Sequence, residues 1–179
     1  SGMSQRQALA ACCGLMPNRM AELQLHPDWE YVADTVMGGA SSGTMSHEVF
    51  EGNTAAVLRG DVSLDNNGGF IQMAFDLRAD GAGFDASDWD GVALEVWGNN
   101  ERYDLRLRTD DLTRPWQSFR TDFATHGQWQ TIWVPFDAVA AHKTDAIFNK
   151  AKLRRIGILA IGKVFTAKIA IAKVQLYRA

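Results

Sequence analysis

YDLRLR, from Tyr103 to Arg108, alternates apolar and charged side chains without a break. A period of two puts Tyr103, Leu105 and Leu107 on one side of an extended chain and Asp104, Arg106 and Arg108 on the other. That is the pattern of a half-buried β-strand. The runs around it repeat the pattern: Val92-Ala93-Leu94-Glu95-Val96-Trp97 before it, Gln117 to Phe123 and Trp129 to Val134 after it. Further runs lie at Thr54–Arg59, Phe70–Leu77, Ile156–Ile161 and Lys168–Tyr177. In the last, the apolar parity jumps from Ile169/Ile171 to Val174/Leu176, which predicts a bulge near Ala172-Lys173. Short strands separated by Gly, Asn and Asp predict an all-β antiparallel jelly-roll sandwich over residues 25–179. Only Asp137–Lys152 leaves room for a helical turn.

A chain of 179 residues with 46% hydrophobic residues can bury one core without staples. Its net charge of −3 gives no basic footprint for nucleic acid, and no apolar run reaches the length of a membrane span. Cys12 and Cys13 are adjacent, so they tie no distant segments together, which fits a reducing, cytoplasmic setting. Ser1-Gly2 before Met3 reads as an expression scar. Leu9-Ala10-Ala11-Cys12 has the form of a lipoprotein cleavage box, but too short an apolar run precedes it. Residues 1–24 are therefore expected to be the scar and a helical or frayed leader.

Two glycine-rich loops stand out: Asp34-Thr35-Val36-Met37-Gly38-Gly39-Ala40-Ser41-Ser42-Gly43 and Asp65-Asn66-Asn67-Gly68-Gly69-Phe70. Neither spells a P-loop, a dinucleotide-binding G-x-G-x-x-G or a G-x-S-x-G nucleophile elbow. Backbone turns needing positive φ are the plain reading of both. His26, His47, His126 and His142 stand at no zinc spacing, so no metal is expected. Asp85, Asp88 and Asp90 miss the EF-hand spacing and read as a turn. No cofactor motif is present and no cofactor is expected.

Taken in order, these motifs resemble the complex I intermediate-associated protein 30 family. The resemblance rests on the two glycine loops and on Asp85 through Gly91. It continues through Tyr103–Arg108, Phe119–Phe123 and Trp129 through Phe136, and closes with Ile156–Leu159 and Ile169–Leu176. It spans about residues 29–177. The chain departs from the family pattern at Ala74, where an Arg usually follows GGF, and at Gly98-Asn99-Asn100-Glu101. The resemblance implies a jelly roll of the galactose-binding-like type and a binding or assembly domain, a role that mitochondrial members serve for NADH:ubiquinone oxidoreductase.

By strand parity Asp104, Arg106 and Arg108 share a face with Ser118, Arg120 and Asp122, provided the strands share a sheet. Trp97, Trp129 and Trp133 lie opposite the apolar residues of their own strands, so one open face is expected to carry both Trp and Arg. The expected site is shallow and at a loop end: Asp34, Ser42, Asn67, Arg106 and Arg108 converging, flanked by Trp116 or Trp129. Trp and Arg are enriched in binding hot spots. A non-catalytic domain for an unidentified protein partner is the leading expectation. A carbohydrate-binding module with exposed Trp and Arg/Asp comes second, and an enzyme with an unrecognised site third. Coplanar exposed Trp rings would favour a glycan, and a contiguous patch of apolar residues and Arg would favour a protein.

Overall fold

In the computed structural model, which describes residues 21–65 and 69–179, every alternating run forms a strand. Strands are numbered in chain order. The first sheet runs β3 (Ser42–Phe50), β4 (Asn53–Val62), β12 (Phe165–Arg178), β6 (Gly91–Gly98) and β9 (Gln130–Pro135), with β1 (Ala21–Gln24) also paired to β12. The second runs β10 (Ala140–His142), β8 (Ser118–Ala124), β7 (Arg102–Thr109), β11 (Leu153–Ile161), β5 (Phe70–Asp76) and β2 (Glu30–Ala33). All pairings are antiparallel.

The inward parity of each strand builds the core between the sheets. Leu58, Val92, Leu94, Val96, Ile169 and Leu176 come from the first sheet, and Ile71, Met73, Leu105, Leu107, Ile156 and Ile158 from the second. Each such side chain, fully removed from water, contributes roughly 1.5–3 kcal/mol before entropy is counted. Tyr103 is buried among them. Its hydroxyl donates to Asn99 Oδ1 at 2.5 Å and accepts from the Lys168 N–H at 3.0 Å, so it bridges the sheets. Burial pushes this phenol up to about 12.

The predicted bulge is present: the β12–β6 register shifts between Ile171 and Lys173. Ala21–Gln24 pair with Gln175–Arg178, so the sandwich starts before residue 25, where the leader was expected to end. The rest of that leader lies outside the described residues. The connection from Asp137 to Lys152 holds the short β10 and a 3-10 turn at Lys150–Lys152. Among the described residues no helix is long and apolar enough to cross a membrane.

Candidate functional site

The first glycine loop joins β2 of the second sheet to β3 of the first, and the second loop joins β4 back to β5. Both crossings lie together because one carboxylate stitches them. Asp34, with no exposed surface, accepts from the Ser41 N–H at 3.1 Å and the Ser41 hydroxyl at 2.6 Å. It also accepts from the N–H groups of Gly69 at 2.5 Å and Phe70 at 3.2 Å. Burial alone would raise its pKa, but the hydrogen bonds outweigh burial and hold it below the ordinary carboxylate value. The Ser41 hydroxyl in turn accepts from the Ser63 N–H at 2.8 Å.

The glycines follow from this arrangement. Gly38 sits at φ 84° and Gly69 at φ 142°, where a side chain is strained. Gly39 has no positive φ; its constraint is space, since a Cβ there would lie 2.4 Å from Asp34 Cγ. Gly39→Val is expected to displace that carboxylate and to cost about 2–4 kcal/mol. An unchanged midpoint in a urea unfolding curve would contradict this.

The outer face of the second sheet is a groove of about 920 Å³. Strand register defines its rows. Glu30, Ala74, Gly157, Arg106, Arg120 and Ala140 lie opposite one another in sequence across the six strands. One step along, Asp76, Arg155 and Arg108 make the next row, and Ser118 pairs with His142 beside them. In the other direction come Val32, Gln72 and Leu159, then Phe70 with Ile161. Because side chains on one face recur every second residue, the groove changes character along the strands. Leu64, Phe70, Leu159, Ile161 and Val32 line the end near the glycine loops, and Arg108, Arg154, Arg155, His142, Lys143 and Trp116 line the other. Its middle is low because Ala74 and Gly157 have little or no side chain.

Charges on this face are partly paired. Asp104, buried, accepts from both Arg106 and Arg120, at 2.9 and 3.0 Å. Arg155 bridges Glu30 and Asp76. Arg108 has no carboxylate partner among the described residues; its Nη1 donates to the carbonyls of Arg114 at 2.8 Å and Gln117 at 2.7 Å. Burial, with Arg154 and Arg155 nearby, pushes Arg108 down. His142 is also held below its ordinary value, by burial first and then by Arg106, Lys143 and Arg120, so it is mostly neutral at pH 7. Ser118 Oγ, buried in the groove wall, has no hydrogen-bond partner among the described residues.

Of the residues expected to form the site, Arg106, Arg108 and Trp116 line this groove. Trp116 is 54% exposed with the Arg114 guanidinium 6.0 Å from its ring centre. Asp34 is not among the lining residues: it is engaged with backbone amides and the Ser41 hydroxyl inside the loop junction. Ser42 is exposed on β3 of the other sheet, opposite Asp61. Asn67 lies outside the described residues.

The expectation of a single face carrying both Trp and Arg is corrected. Trp97, Trp129 and Trp133 stand on or beside the first sheet, on the opposite side of the sandwich from Arg106 and Arg108. Phe50 packs edge-on to Trp97 and Trp129, Lys168 sits 5.7 Å from the Trp97 ring, and Trp129 Nε1 donates to the Glu51 carbonyl. Phe50, Trp97 and Trp129 form a satellite cluster, while Trp133, 44% exposed, packs edge-on to Tyr177. Sequence reasoning passed over Gln72, His142, Lys143, Arg154 and Gly157. The dibasic Arg154-Arg155 ahead of the Ile156 run was a signal for part of them.

With this geometry in view, the family model described as complex I intermediate-associated protein 30 (CIA30) matches residues 19–170. The chain belongs to that family. Its strand pattern and loops are thus those of a family domain, and the match takes in β1, which the resemblance read from motifs had left out. No curated protein sequence matches the chain. Among solved structures it is similar to a family 11 carbohydrate-binding module from Clostridium thermocellum, solved in complex with a β-1,3-1,4-mixed-linked tetrasaccharide. That likeness has TM-score 0.67 at 12% identity, over 87% of this chain and 94% of that one. A family 30 carbohydrate-binding module is similar at TM-score 0.65 and 12% identity, over 87% of each chain. At such identities the likeness is one of fold: this CIA30-family domain is a galactose-binding-like jelly roll.

Proposed function

We propose that the domain is a non-catalytic binding module that holds an extended segment of a partner protein in the groove of the second sheet. The observation that carries this is the lining itself. An apolar end continues directly into a wall of arginines, with Trp116 the one tryptophan among the described lining residues. Mixed apolar and Arg surfaces suit polypeptides, whose extended backbone also offers carbonyls to guanidinium groups. Membership of a family described by association with an intermediate of complex I supports an assembly role; complex I as the partner of this chain belongs to the same proposal.

Glycan binding is the second reading, favoured by the fold likeness to carbohydrate-binding modules. Parallel peptide and oligosaccharide arrays separate the two. Peptide binding is expected, weakened about tenfold by Trp116→Ala, as for an exposed aromatic anchor. Oligosaccharide binding without peptide binding, lost in the same variant, would overturn the proposal in favour of the second reading.

A further inference from the structure

The groove differs chemically at its two ends, and that difference narrows the partner. Phe70 and Asp76 mark the ends on β5, and Ile161 and Arg155 face them on β11. The six steps from one to the other span about 20 Å at ~3.3 Å per residue. At the first end, the side chains of Val32, Leu64, Phe70, Leu159 and Ile161 offer apolar contact. At the other, positive charge is in surplus. Arg108, Arg154 and Lys143 there have no ion-pair partner among the described residues, and in the adjoining middle row Arg106 and Arg120 share the single carboxylate of Asp104. Against them stands one extra carboxylate, at the Arg155 bridge to Glu30 and Asp76.

The hydrogen-bond inventory agrees. Arg108 is fixed through Nη1 alone, which leaves Nε and Nη2 without partners among the described residues and the guanidinium plane set by the 114–117 loop. Ser118 contributes its buried, unpartnered hydroxyl beside it. A pre-oriented guanidinium fork beside a hydroxyl donor matches a carboxylate.

Resting on the reading of the groove as a polypeptide site, we propose that its occupant is bipartite. Apolar side chains fill the Phe70–Ile161 end, and an acidic stretch docks at Arg108, Arg154 and Lys143. Alternate residues of an extended segment face the sheet, so the apolar and acidic positions recur every second residue.

A synthetic peptide of alternating Leu and Ser followed by alternating Glu and Ser tests this, beside the same peptide with Gln for every Glu. The mixed-linked tetrasaccharide serves as a third probe. In fluorescence or calorimetric titrations of the whole chain, the Glu peptide is expected to bind at least about tenfold more tightly than the Gln peptide. The advantage should shrink with added salt and in the double variant Lys143→Gln plus Arg154→Gln. Those two side chains hold no described ion pair, so the fold should survive; Arg108→Gln is the companion variant, with circular dichroism checking the loop it braces. Equal binding of the Glu and Gln peptides overturns the acidic specificity while leaving the peptide groove standing. Binding of the tetrasaccharide alone overturns both, and binding of none of the three at millimolar concentration overturns the bipartite occupant.

Discussion

Asp34→Ala is expected to destabilise the domain by about 3–5 kcal/mol at neutral pH, because it strands the amides of Ser41, Gly69 and Phe70 in a buried junction. Four hydrogen bonds converge on this one carboxylate, two from Ser41 in the first crossing and two from Gly69 and Phe70 at the end of the second. The effect carries a pH signature. The folded-state pKa of Asp34 is depressed, so its contribution is fully present above the unfolded value of ~3.9 and is lost as pH falls through the folded pKa. Urea unfolding of parent and variant at pH 7 and in acid should therefore show a gap that narrows on acidification. Asp34→Asn should lose the same acid sensitivity, since its amide does not ionise. Equal stability at pH 7, or a gap independent of pH, would contradict the role assigned to this carboxylate.

The second large effect falls on binding. Gly157 lies on central strand β11, between Ala74 and Arg106, at the low middle of the groove. A Cβ there would meet Gln72 Oε1, Ala74 Cβ and Leu159 Cδ1 at 3.4–3.5 Å, which is ordinary contact. Gly157→Leu should therefore fold, with the strand relieved of a flexible residue, while its side chain fills the space a ligand needs. Loss of at least about a hundredfold in peptide affinity, roughly 2.7 kcal/mol, with an unchanged or raised unfolding midpoint is the expected outcome. Unaltered affinity in a folded Gly157→Leu protein would move the binding surface elsewhere.

The fold was legible in the sequence because parity is a local property. Leu105 and Leu107 against Arg106 and Arg108 declare a strand with one wet face, and the jump between Ile171 and Val174 declares the bulge. What parity does not carry is which strand joins which sheet. Trp97 and Arg106 are both outward-facing, yet β6 and β7 belong to different sheets, so two surfaces were read as one. Asp34 misled for a related reason. A carboxylate followed by glycines reads equally as a ligand-facing group or as an acceptor for distant amides, and Gly69 and Phe70 are far along the chain. β10 escaped because three residues are too few to establish a period, and His142 went with it. That Arg106 and Arg108 share a face was legible because two residues two apart on a strand must do so.

Backbone amide shift mapping by solution NMR, with the tightest-binding peptide of the array, locates the ligand on the outer face of the second sheet or elsewhere. Shift changes are expected to concentrate on β5, β7 and β11 and around Trp116 and His142, with Gln72, Arg106, Arg108 and Gly157 among the most affected. Changes centred instead on Trp97, Trp129 and Trp133, across the sandwich, would contradict binding at that face.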